Sequence, residues 1–104
     1  MDIPDAIRDA LVALPPEQQA VYAEFLAISD PLKRSRAITD WGRPAGTIRQ
    51  PFTWLRQVSL QEAREKAEPE GRKLSWLARK AGLSVTRLSR ITRRATPATQ
   101  EAAA

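Results

Sequence analysis

Residues 74–94 read LSWLARKAGLSVTRLSRITRR, and their spacing decides the fold. Leu74, Leu77, Ala78 and Ala81 stand at i, i+3, i+4 and i+7, the apolar stripe of a short amphipathic helix. Gly82 ends it, because glycine reaches the left-handed backbone conformation that a sharp turn needs at low steric cost, and Leu83 can fold back beneath that turn. Ser84 restarts the chain. Its hydroxyl suits the free N–H groups of a second helix, whose inward positions are Val85 in part, Leu88 and Ile91. Two helices crossing steeply after so short a turn need a small side chain at closest approach, and Ala78 supplies it.

A small residue, glycine four positions later, a serine cap and two spaced aliphatics together resemble the helix-turn-helix superfamily of transcriptional regulators. The resemblance covers about one fifth of the chain. It implies a sequence-specific regulator that binds double-stranded DNA by inserting helix 84–94 into the major groove, N-terminal residues toward the bases. On that pattern Val85, Thr86, Ser89 and Arg90 face base edges. Arg90 is the sharpest of them, since a guanidinium can donate two parallel hydrogen bonds to guanine O6 and N7, while Val85 suits a thymine methyl. Ser75, Arg79, Lys80, Ser84, Arg87, Arg93 and Arg94 fall to the phosphates. A homodimer is expected as well, because one recognition helix reads too few base pairs to find a genomic site.

Charge points the same way without the motif. Between Arg72 and Arg94 lie eight basic residues and no acidic one, whereas a merely solvated face mixes both signs. Residues 1–29 reverse this, with Arg8 alone against Asp2, Asp5, Asp9, Glu17 and Glu24. The net +5 therefore conceals a polar chain whose basic end suits a polyanion and whose acidic end should face away from it.

Composition excludes several classes. The 104 residues suffice for one domain with a modest core, or a small domain with an appended module. Lacking cysteine and histidine, the chain has no disulfide framework, no thiol chemistry and no conventional zinc site. No cofactor is expected. The N-terminus does not read as a secretory leader, and no stretch approaches the ~20 apolar residues that span a bilayer. A cytoplasmic protein without a membrane partner is the expectation.

The remaining sequence reads as helices throughout, an all-α multi-helix bundle with a C-terminal tri-helical unit. Pro4 to Leu14 places Ile7, Leu11 and Leu14 on one face and stops at Pro15-Pro16. A second helix to about Ser29 groups Val21, Phe25 and Ile28, with Tyr22 and Leu26 beside them. Asp30-Pro31 reads as a cap and a first-turn proline opening a third helix, with Leu32, Ile38 and Trp41, that ends at Gly42. The acidic N-terminal region 1–41 is thus a packing or dimerisation region, and GRPAGTIRQP (42–51) a linker or loop. In the DNA-binding region 52–95, Thr53 can cap a short Trp54 to Val58 turn. Ser59 and Glu62 fit a capping box, stapled by Val58 and Ala63, for a helix to about Glu68. The tail 96–104 is expected to be disordered.

Trp76 lies off the inward stripe, so either the N-terminal helices pack over it or it marks an interface. Trp41 and Trp54, flanking the loop, read as core aromatics. The competing function is a protein-interaction adaptor, a promoter-factor partner or antitoxin-like protein, whose N-terminal helices bind another protein. An enzyme would have to rest on Glu62 and Glu65, the one close carboxylate pair worth testing. Capping and solvation account for them better, and without histidine or cysteine the stock of bases and nucleophiles is thin.

Overall fold

The computed structural model describes residues 3–44, 46 and 48–95, with side chains up to Thr92. Six helices and no strand occur among them: α1 (Asp5–Val12), α2 (Pro16–Ala27), α3 (Pro31–Gly42), α4 (Phe52–Ala67), α5 (Leu74–Ala81) and α6 (Val85–Ala95). No helix among these residues is long and apolar enough to cross a membrane. The expected tail, 96–104, lies outside the described residues, as do the side chains of Arg93 and Arg94.

The helix ends follow local chemistry. Asp30 caps α3 as its pattern predicts, Oδ1 accepting from the Leu32 N–H at 2.9 Å and the Lys33 N–H at 3.3 Å. Helices α1 and α2 stop two residues earlier than periodicity predicts, at Val12 and Ala27. The end of α1 is closed from the next helix, because the Gln19 side-chain amide donates to the carbonyls of Val12 (3.2 Å) and Leu14 (2.9 Å). Those carbonyls lack the intrahelical partners that mid-helix groups have.

The largest correction concerns α4, which is one uninterrupted helix from Phe52 rather than a turn followed by a capped helix. Ser59 is no cap. It lies mid-helix and fully buried, its hydroxyl donating to the Leu55 carbonyl at 2.7 Å and accepting from Arg34 Nη1 at 3.2 Å. Glu62 is drawn aside by ion pairs to Arg34 (3.7 Å) and Lys66 (3.9 Å), and Thr53 Oγ1 donates to the Ile48 carbonyl instead of capping. A serine followed three residues later by glutamate matches a capping box, but a Ser-to-i−4 carbonyl bond suits a helix interior equally well.

Helices α3 and α4 run antiparallel and share two apolar clusters. Ile38 of α3 meets Phe52 and Leu55 of α4 in one, with Tyr22 and Phe25 of α2 and the flanks of Leu11, Leu14, Val21 and Ile28. Leu32 of α3 packs on the other, where Leu60 and Ala63 of α4 meet Leu77, Ala78 and Ala81 of α5 and Leu88 and Ile91 of α6. Arg34 clamps the seam. It is 6% exposed, yet its guanidinium donates to the Ile28 carbonyl (2.9 and 2.7 Å), the Ser29 carbonyl (3.4 Å) and Ser59, besides pairing with Glu62. A buried charge satisfied in this way holds elements in register.

The tryptophans divide. Trp54 is half-buried on the first cluster, whereas Trp41, tilted against Phe52 at 4.4 Å and edge-on to Phe25 at 5.8 Å, stays 39% exposed. Trp76 is half-buried on the second cluster beside Leu32 of α3, with the Arg72 guanidinium 4.7 Å above its ring.

Tyr22 yields a prediction. Its ring is 1% exposed, packed edge-on to Phe52 at 5.3 Å, and its hydroxyl has no hydrogen-bond partner. Burial pushes its phenol up to about 12. The folded pKa then exceeds the unfolded value of about 10, so this contribution to stability is intact below pH 10 and vanishes as pH rises through 12, removing about 2–3 kcal/mol. Tyr22→Phe should remove that alkaline loss and leave neutral-pH stability unchanged or about 1 kcal/mol higher, since no bonded partner is sacrificed. Denaturant melts at neutral pH and near pH 11 check both, and a variant as alkali-sensitive as its parent would refute the assignment.

Candidate nucleic-acid interface

The segment from α5 to α6 is built as its spacing predicts. Gly82 takes φ 75° and ψ 28°, the Leu83 N–H donates to the Ala78 carbonyl at 2.9 Å, and the Gly82 N–H donates to the Arg79 carbonyl at 3.2 Å. This pair of bonds is the Schellman arrangement, which closes a helix and turns the chain sharply. Ser84 then caps α6, its hydroxyl accepting from the Arg87 N–H at 3.1 Å. Ala78 is 2% exposed, and Leu88 and Ile91 are buried in the cluster shared with α5 and α4. The inner face is fixed at its C-terminal end by Thr92, whose hydroxyl donates to the Leu88 carbonyl at 3.0 Å and accepts from Arg64 Nη1 at 2.8 Å.

With those positions inward, α6 turns Val85 (43% exposed), Thr86, Arg87 and Arg90 to solvent, with Ser89 half-buried at the edge. Positions 85, 86, 89 and 90 share one side of a helix, being neighbours at i, i+1, i+4 and i+5. Ser75 and Arg79 are exposed on α5, four residues apart, with Lys80 next to Arg79 and exposed Ser84 in the turn. The described candidates thus gather on α5, the turn and the first two turns of α6.

Electrostatics separate this surface from the rest. Three of the six acids between residues 30 and 70 are engaged in ion pairs: Asp40 with Arg36 (3.2 Å) and Arg43 (3.6 Å), Glu62 with Arg34 and Lys66, and Glu68 with Arg64 (3.8 Å). No ion pair among the described residues involves Arg79, Lys80, Arg87 or Arg90. Exposed pairs add little stability, so their significance here is the uncompensated positive surface they leave over residues 79–90.

The periodic reading missed three residues beside this surface. Arg36 of α3 donates from Nη1 to the Lys80 carbonyl at 3.2 Å, and a Cβ at Gly82 would stand 3.1 Å from its guanidinium carbon. Thr39 and Arg56 are buried at 8% and 6% exposure, and both contribute to a cavity of about 180 Å³ that reaches Gly82, Leu83 and Arg87. Burial first, and repulsion from Arg87 second, lower the pKa of Arg56. Arg56 stands four residues from both Phe52 and Leu60, on the inward stripe of α4, so a charge in an apolar stripe was its visible signal. Breaking the helix at Ser59 hides that stripe. Comparison of the chain with protein-family models, with curated proteins and with solved structures finds no match.

Proposed function

We propose that this protein is a sequence-specific double-stranded DNA-binding regulator in which α4, α5 and α6 form a tri-helical helix-turn-helix unit and α6 lies in the major groove. One observation carries the reading. A helix seated by Leu88 and Ile91 behind a glycine turn presents Val85, Thr86, Ser89 and Arg90 outward, amid basic groups that no described carboxylate neutralises. Side chains of this reach and polarity, on a helix N-terminal half, suit base edges, while Ser75, Arg79, Lys80, Ser84 and Arg87 suit phosphates. A two-fold dimer would double the readout.

Selection on randomised duplexes tests it. Arg90→Ala should relax preference at one base pair of each half-site, worth about 1–3 kcal/mol of discrimination, whereas Lys80→Ala should weaken all sequences alike. If Arg90→Ala kept the parent's preference and lost affinity uniformly, α6 would have to be withdrawn from the groove.

A second reading, an adaptor that binds another protein through its N-terminal helices, draws on the exposure of Val12 (72%), Leu26 (36%) and Trp41 (39%). Light scattering with and without duplex separates the two readings. A monomer that binds no duplex favours the adaptor.

A further inference from the structure

Arg34 and Arg56 are equally buried, at 6% exposure each, and the fold treats them oppositely. Arg34 is surrounded by carbonyls, a hydroxyl and a carboxylate. Arg56 shares no ion pair with a described residue, and its Nε is buried with no hydrogen-bond partner. A guanidinium cannot escape by losing its proton, so leaving one buried and unpaired is costly. Only two other buried side-chain atoms among the described residues lack a partner, and one of them is the hydroxyl oxygen of Thr39, a residue that lines the same cavity.

The other charged residues that line it carry the same sign. Arg87 reaches the cavity from α6 and Arg43 from the end of α3, and no described carboxylate lines it. The nearby Asp40 is already engaged with Arg36 and Arg43. Gly42 brings the backbone in close, for a Cβ there would collide with Ile48 across the loop. About 180 Å³ exceeds the ~10–15 Å³ of such space that one water needs, enough for a tetrahedral ion with water around it.

We propose that this cavity, between the end of α3, α4 and the α5–α6 turn, binds a phosphate-type oxyanion through the guanidinium groups of Arg56 and Arg87 and the hydroxyl of Thr39. Guanidinium groups match a phosphate's paired oxygens, and a threonine hydroxyl adds a donor. The ion neutralises two arginines that otherwise repel each other, and it braces α6 against α4. Free phosphate and a phosphate of a nucleic-acid backbone carry the same chemistry. The site does not depend on α6 entering a DNA groove.

Thermal melting of the full chain in inorganic phosphate, against sodium chloride at equal ionic strength, is the test. Phosphate should raise Tm, with the shift growing as the logarithm of its concentration above Kd and reaching roughly 5–10 °C at tenfold excess. Arg87→Gln, an exposed change, and Thr39→Val should flatten that response. Arg56→Gln should also abolish it while melting no lower than the parent in chloride, since it removes an unpaired buried charge; a merely structural arginine would instead lower Tm. Equal melting in phosphate and chloride, or a parental response from Arg56→Gln and Arg87→Gln, overturns the proposal. Duplex binding with and without saturating phosphate, again at constant ionic strength, then identifies the source. Competition assigns the site to a backbone phosphate, and undiminished duplex affinity assigns it to a free one. A chain stabilised by phosphate that binds no duplex would keep this site and remove the groove-binding reading.

Discussion

Raising monovalent salt from about 50 to about 200 mM should weaken duplex binding by about 500-fold, because neutralising four to six phosphates sets a slope of log K against log salt near −4 to −5. The groups expected to do this are Arg79, Lys80 and Arg87, with Arg93 and Arg94 further along α6, and the described members of the set join no ion pair that duplex binding must first break. The acidic helices α1 and α2 contribute the opposite sign. Anisotropy titrations on one duplex across that salt range read the slope directly, and a flat line would remove polyanion binding from the account.

Leu88→Ala should act through the fold rather than the contact surface. Leu88 is fully buried where α6 meets Leu60, Leu77 and Ala78, so truncation leaves a cavity that neighbours fill only in part and costs about 2–5 kcal/mol. Against the roughly 5–15 kcal/mol that holds a domain of this size, Tm should fall by at least about 8 °C, with binding lost in parallel. Arg90→Ala, on the outer side of the same helix, should melt like the parent. A Leu88→Ala protein that also melts like the parent would show that α6 is not seated on that cluster.

The apolar spacing of residues 74–91 was enough to place α5, the glycine turn, the Ser84 cap and the inward pair Leu88 and Ile91, because each is decided by neighbours within a turn or two. Asp30 was legible for the same reason. What escaped depends on partners far along the chain. Ser59 reads as a cap until Arg34, 25 residues away, is brought to its hydroxyl, and Glu62 reads as its companion until the same arginine claims it. Arg56 looks like any basic residue until the end of α3 and the turn before α6 close around it. Trp41 shows the converse, for periodicity turned it inward and the fold leaves its ring partly in solvent.

The sharing of α3 between two apolar clusters has a mechanical consequence. Swinging α5 and α6 away from the N-terminal helices would pull Leu32 off one cluster or Ile38 out of the other, and would break the bond from Arg36 to the Lys80 carbonyl. Such a protein meets its partner as a stiff body, with little shape left to adjust. In the proposed complex the accommodation falls on the duplex, where smooth bending through 40–90° costs about 1–6 kcal/mol depending on sequence, so base pairs that no side chain touches would influence which sites are held.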